Sequence, residues 1–204
     1  MRRRTFWTGL AVLATAVLLG SIALIADRLS PQRTEQGHGR AAIGGPFTLT
    51  DHLGQPVTQD ILKGKLSLVY FGYSFCPDIC PTDLQLIAQA LDQLTPEELA
   101  DTQALFVSID PERDTVAQLA GYVGLFHPAI RGLTGTPEQI DAATKSYRAY
   151  YKKISAEEAG TTDYLMDHSA FIYLMNRDGD FVRVFGHGVN PGEMVEWIRR
   201  VRAG

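Results

Sequence analysis

Cys76 and Cys80 are the only thiols in this 204-residue chain, and they stand together in YFGYSFCPDICPTDL, three residues apart, each followed by a proline. Thiolates attack disulfides, pair with one another or hold soft metal ions. At this spacing, in a partly helical segment, both sulfurs fall on one face about one turn apart. Helical residues four apart have Cα atoms about 6 Å from each other, within the range a disulfide permits. The same geometry can pinch one metal ion. A disulfide, a redox couple and half of a metal site are therefore all open readings. Two cysteines do not make a disulfide scaffold, because a domain of this length buries an adequate core without staples. They are also too few for the usual iron–sulfur clusters, which want about four.

If the pair holds a metal, a further ligand must come from elsewhere, and imidazole suits the ions that thiolates select. Of the five histidines, His38 sits in a polar stretch, His52 in a turn, His127 before Pro128 and His187 between two glycines. Surface or helix-end roles explain these four. His168 differs, because in YLMDHSAFIYLM it stands directly before a strongly apolar run. Asp78, Asp110 and Asp167 are candidates for a fourth ligand or for holding the imidazole from behind, with Asp167 the natural partner of its second nitrogen. Turn roles in CPDIC and IDPERD are the plain alternatives for Asp78 and Asp110. Tyr70, Phe71, Tyr73 and Phe75 read first as strand and core residues.

The elements that must bring these groups together follow from the hydrophobic rhythm. FTLTD, Gly54 and PVT predict a short hairpin, and LSLVYFG (66–72) reads as a strand buried on both faces. Leu84, Ile87, Ala88, Leu91 and Leu94 recur at helical spacing, so the cysteine segment opens a helix. Cys76 then lies in the loop leaving the strand and Cys80 in the first helical turn, where the dipole is expected to lower both thiol pKa values. ALFVSID predicts a second buried strand, and DTVAQLAGYVGLF a helix capped by Asp114. TPEQIDAATKSYRAYY carries a capping box from Thr136 and Gln139 around Pro137. SAFIYLMNRDGDFVRVFG predicts a hairpin, with His168 at the start of its first, central strand; NPGEMVEWIRRVRA closes the chain with a helix entered at Asn190, Pro191 and Glu193. This order gives an α/β fold, a thioredoxin-like three-layer sandwich with an N-terminal β-hairpin and an inserted helix over 136–150. In such a fold the segment entering the late central strand packs against the cysteine loop.

Residues 1–5 read as a cytoplasmic tail. Phe6 to Ala26 holds no charged side chain, about the length needed to cross the hydrocarbon as a helix, and it reads as a transmembrane anchor. A cleaved signal peptide is the competing reading. Arg2, Arg3 and Arg4 before the span place the tail in the cytoplasm. Residues 27–44 form a polar linker, and 45–204 the folded domain outside the membrane, in a bacterial envelope. A net charge of −4 leaves no basic footprint for nucleic acid.

LSLVYFGYSFCPDICPTDL, FVSIDPERDT, GLTGTPEQI and DHSAFIYLMNRDGDFVRVF together closely resemble the Sco/SenC family of copper chaperones for cytochrome c oxidase assembly. The resemblance covers residues 45–202. It implies that Cys76, Cys80 and His168 bind one copper ion, copper(I) or copper(II), and that Pro77 and Pro81 shape the loop. It further implies a membrane-anchored protein facing the periplasm, whose partner is oxidase subunit II with its binuclear copper centre, alongside other copper carriers or thiol reductants. Such a chaperone turns over no substrate. A different class stays open beside it, a membrane-tethered thiol-disulfide oxidoreductase with Cys76 attacking and Cys80 resolving. A peroxidase is disfavoured by Tyr73, where related folds place a threonine. Zinc held by the same donors and a carboxylate is the other metal reading.

Overall fold

The computed structural model describes residues 43–203. The tail, the anchor and most of the linker expected from the sequence over 1–44 lie outside the described residues, and no helix among those described is long and apolar enough to cross a membrane. Strands β1 (Thr48–Asp51) and β2 (Pro56–Thr58) form the N-terminal hairpin, turning at Gly54, whose φ of 79° suits glycine. Strand β3 (Leu66–Gly72) runs parallel to β4 (Thr102–Ser108), and β4 parallel to β5 (Ile130–Thr134). Strands β8 (Ile172–Met175) and β9 (Phe181–Phe185) continue the sheet antiparallel on the other side of β3. The order across the sheet is β2-β1-β5-β4-β3-β8-β9.

Every residue of β3 and β4 is buried, so both faces are covered. On one face Tyr70 stacks on Phe106, and Phe106 meets Tyr122 of α3 (Val116–Val123). Helix α1 (Ile79–Asp92) covers the same face, packed against the C-terminal helix α6 (Pro191–Ala203). On the other, Phe71 meets Tyr147 of α4 (Pro137–Tyr147) with ring centres 5.2 Å apart. Helices on two sides of a mixed sheet give the thioredoxin-like sandwich that the sequence predicts, with α4 as the inserted helix. Thr136 and Gln139 close the expected capping box on α4.

Four local expectations change. A short helix α2 (Pro96–Ala100), capped reciprocally by Thr95 and Glu98, precedes β4. Helix α3 is capped by Thr115, whose side chain accepts from the Gln118 amide, and not by Asp114. Asp114 instead turns inward, where its carboxylate accepts from the Ser74 amide, the Ser74 hydroxyl and the Ser108 hydroxyl. Most important, His168 does not begin the central strand. It ends β7 (Leu165–His168), which pairs antiparallel with β6 (Tyr151–Ile154) in a separate two-stranded sheet, Tyr151 opposite His168. The chain leaves the pair at Ser169, whose amide donates to the Tyr150 carbonyl and whose hydroxyl accepts from the Tyr150 amide. Those bonds hold Ser169 to Tyr150, and the central strand starts only at Ile172. One turn of helix, α5 (Ala156–Ala159), follows β6 and ends on Gly160 at φ 66°.

Candidate metal centre

Cys76 lies in the loop after β3, and Cys80 is the second residue of α1. Cys80 is fully buried, seated against β3 where Gly72 leaves room for its sulfur; a Cβ at Gly72 would lie 2.9 Å from Cys80 Sγ. Cys76 is half-buried, and its sulfur accepts from the Cys80 amide at 3.4 Å. That contact is the helix N-terminus satisfying a thiolate. The register of β6 and β7 brings His168 to the same point from the other side, with Nε2 3.3 Å from Cys80 Sγ. The three donor atoms lie within 4.8 Å of one another, and both cysteines are free thiols.

The imidazole is held by more than its strand. Nδ1 donates to the Ser169 carbonyl at 3.3 Å, which orients the ring with Nε2 toward the sulfurs. Tyr70 and Tyr73 meet the ring edge to face at 6.3 and 6.0 Å. These two tyrosines are thus both core residues and walls of the site. Phe71 faces the opposite side of the sheet, and Phe75 stays largely exposed.

The two thiols differ sharply. Hydrogen bonding from Cys80 holds the Cys76 thiol down at about 3 against the opposing effect of burial, helped by His168 and the amides of Cys80 and Asp78. Burial pushes the Cys80 thiol up, and the neighbouring Cys76 thiolate pushes it further. The expectation that the helix terminus lowers both is therefore corrected. It lowers the one at the mouth, and desolvation wins for the one beneath. The pair shares one proton.

Of the aspartates, Asp78 and Asp167 line a cavity of about 380 Å³ together with Cys76 and His168, but neither joins the three-donor cluster. Asp167 does not hold the imidazole's second nitrogen; Ser169 takes that place. Asp110 is committed elsewhere, accepting from Arg113 Nε at 2.6 Å and from the Tyr164 hydroxyl at 2.8 Å. The remaining described histidines stand apart from the cluster. His52 Nδ1 accepts from the Gly132 amide, His127 Nδ1 from the Ala129 amide, and His187 pairs with buried Asp83 at 2.9 Å. Sequence reasoning missed Ser169, Gly72 and Asp114 as supports of the site. The DHS triplet held a signal for Ser169.

Two soft sulfurs and an imidazole, gathered on an α/β sandwich at the carboxyl end of a central strand, define a thioredoxin-like protein with a thiolate–imidazole site suited to a soft ion. The family model SCO1/SenC matches residues 35–203, and the chain belongs to that family. It is 47% identical over 160 residues to the mitochondrial SCO1 homolog 1 of Arabidopsis thaliana, covering 78% of this chain and 47% of the relative. The chain thus spans about half the length of that curated relative. Copper-bound ScoI of Arabidopsis thaliana superposes with a TM-score of 0.73 at 42% identity, covering 80% of this chain and 100% of that one. Copper-bound ScoI of Bradyrhizobium japonicum gives a TM-score of 0.72 at 45% identity, covering 78% and 99%.

Proposed function

We propose that this chain is a membrane-anchored copper metallochaperone that carries one copper ion on Cys76, Cys80 and His168 and serves assembly of the binuclear copper centre of cytochrome c oxidase subunit II. The observation that carries this reading is the approach of the His168 imidazole, from a strand pair of its own, to within 3.3 Å of the buried sulfur. A dithiol enzyme needs no such third donor. Donor softness and the copper-bound relatives favour copper as the cargo over zinc. Three donors suit copper(I); copper(II) calls for a fourth, and Asp78 and Asp167 border the cavity from which one would come. The charge-free run from Phe6 to Ala26 is the anchor in this reading, with the domain in the periplasm of a bacterial inner membrane.

Metal titration with thiol counting tests it. The reduced chain, held anaerobically, takes up one copper(I), and His168→Ala weakens uptake strongly while Cys76 and Cys80 still close a disulfide. Equal copper(I) affinity in the two forms sinks the reading.

The asymmetry of the thiols favours a second activity at the same place, reduction of a disulfide in an envelope protein. The ionised Cys76, half-buried at the cavity, attacks one sulfur of the client, whose other sulfur leaves as a thiolate. Cys80 then gives up its proton and closes on Cys76, releasing the second client thiol. Two electrons pass to the client, and the chain is left oxidised and unable to hold the ion.

A further inference from the structure

Strands β6 and β7 carry His168 but share no ladder with the seven-stranded sheet. Apart from the short connection to β8, side-chain contacts therefore set how closely the imidazole approaches the thiols. Arg113, in the loop between β4 and α3, occupies that junction with 14% of its side chain exposed. Its Nε donates to Asp110 of the same loop at 2.6 Å. Its Nη1 reaches across to the segment that leads into β7, donating to Asp163 at 3.0 Å and to the Tyr164 carbonyl at 3.1 Å. The guanidinium carbon lies 3.6 Å from the centre of the Tyr164 ring, 4.8 Å from that of Phe75 and 5.7 Å from that of Tyr73. Phe75 immediately precedes Cys76. The Tyr164 hydroxyl returns to Asp110 at 2.8 Å and closes the circuit. Lys153 adds a second tie, paired with Glu112 at 2.6 Å and set 3.9 Å from the Tyr164 ring.

We propose that Arg113 is a positioning residue that clasps the His168 strand pair to the Cys76 loop and so sets how firmly the imidazole closes on the two sulfurs. The guanidinium touches none of the three donors. It acts through the chain segments on either side of it. Its planar fork bonds two segments at once while its face lies on the rings of a third, a combination that the compact ammonium of lysine does not offer. The proposal rests on the copper reading for its affinity effect and on geometry alone for its effect on the metal-free chain.

A double-mutant cycle on the full-length chain separates positioning from mere stability. Copper(I) affinity is measured by chelator competition for the wild type, Arg113→Gln, His168→Ala and the double variant. Arg113→Gln should weaken copper(I) about tenfold when His168 is present and less than about twofold when it is absent, because nothing is then left to position. In the copper-free chain, amide hydrogen exchange should accelerate over residues 151–168 and stay unchanged in β3 and β4. Tyr164→Leu, which removes the far side of the clasp, should give the same pattern and replaces Arg113→Gln if that variant fails to fold. A penalty equal in both backgrounds, no penalty, or exchange raised throughout the sheet overturns the proposal. A wild-type chain that binds no copper(I) overturns the copper reading instead, and the exchange measurement still decides the clasp.

Discussion

Gly72→Ala is a small perturbation aimed at the buried sulfur. The new Cβ would stand 2.9 Å from Cys80 Sγ, 2.9 Å from Phe106 Cε2 and 3.1 Å from Tyr70 Cε1. None of these neighbours is the loose end of a flexible chain. Cys80 is fixed to the first turn of α1, and both rings are completely buried. Ordinary contact begins near 3.5 Å, so the three groups must together yield about half an ångström or more. Overpacking of this kind costs about 1 to 3 kcal/mol. For a domain of this size each kcal/mol lowers Tm by about 2 to 4 °C, so the reduced, metal-free chain should melt roughly 2 to 12 °C lower. Metal bonds tolerate displacements of only about 0.2 Å, so the shifted sulfur should also weaken copper(I) binding at least about tenfold. Thermal unfolding and chelator competition on the same preparation read the two effects. Copper(I) affinity within about twofold of the wild type, at a lowered Tm, would refute the placement of Cys80 Sγ as a metal donor.

The other predictions concern charge, strain and the order of the thiols. Because the Cys76 thiol is held at about 3 against an ordinary value of 9.0, its alkylation rate in the reduced chain should be flat from pH 5 to 9, whereas Cys80 should react only after unfolding. The sign for stability follows from the same depression: the thiolate's contribution is full above the ordinary value and is lost as pH falls toward about 3, so Cys76→Ser should flatten that part of the stability profile. Arg148, at the C-terminal end of α4, has φ 54°, and Arg148→Gly should raise stability by about 1 kcal/mol in thermal unfolding. His187→Ala leaves buried Asp83 with the Gly188 amide as its remaining donor and should cost about 1 to 3 kcal/mol in denaturant unfolding. If the chain reduces a client, Cys80→Ser should trap a mixed disulfide through Cys76, and Cys76→Ser should trap none, as read by mass spectrometry.

The parts of this molecule that were legible in its sequence are those whose cause is local. LSLVYFG is apolar at every other residue and beyond because β3 is covered on both faces, and Thr136-Pro137 carries its capping chemistry within four residues. The strand pair β6 and β7 had no such signature. YKKI and LMDH are four residues each, half-buried and without clean alternation, and their partnership is a contact between segments that the sequence does not place side by side. For the same reason the sequence pattern places His168 at the start of the next strand, four residues before the strand begins. In IDPERDT both Asp114 and Thr115 could cap a helix; Asp114 turns inward because Ser74, forty residues earlier, supplies its donors. The helix start beside Cys76 was visible, but the hydrogen bond from Cys80 that chiefly lowers its thiol and the burial that raises Cys80 depend on Gly72, Phe106 and Tyr70 closing over the inner sulfur.

That unequal pair of thiols bears on how the two proposed chemistries, copper transfer and disulfide reduction, would share one place. A carrier whose sulfurs were equally buried would hold its ion and release it slowly, since any exchanging ligand must reach the metal from outside. One with both exposed would oxidise readily. Here one sulfur and the imidazole face a cavity while the second sulfur is sealed beneath them. An incoming donor can displace ligands from the cavity side in sequence while the buried sulfur keeps hold until last. The same arrangement decides which thiol meets a client's disulfide first. Handing over a metal and reducing a disulfide thus call for one approach direction, along the cavity lined by Cys76 and His168, and the strand pair that carries His168 forms one wall of that path.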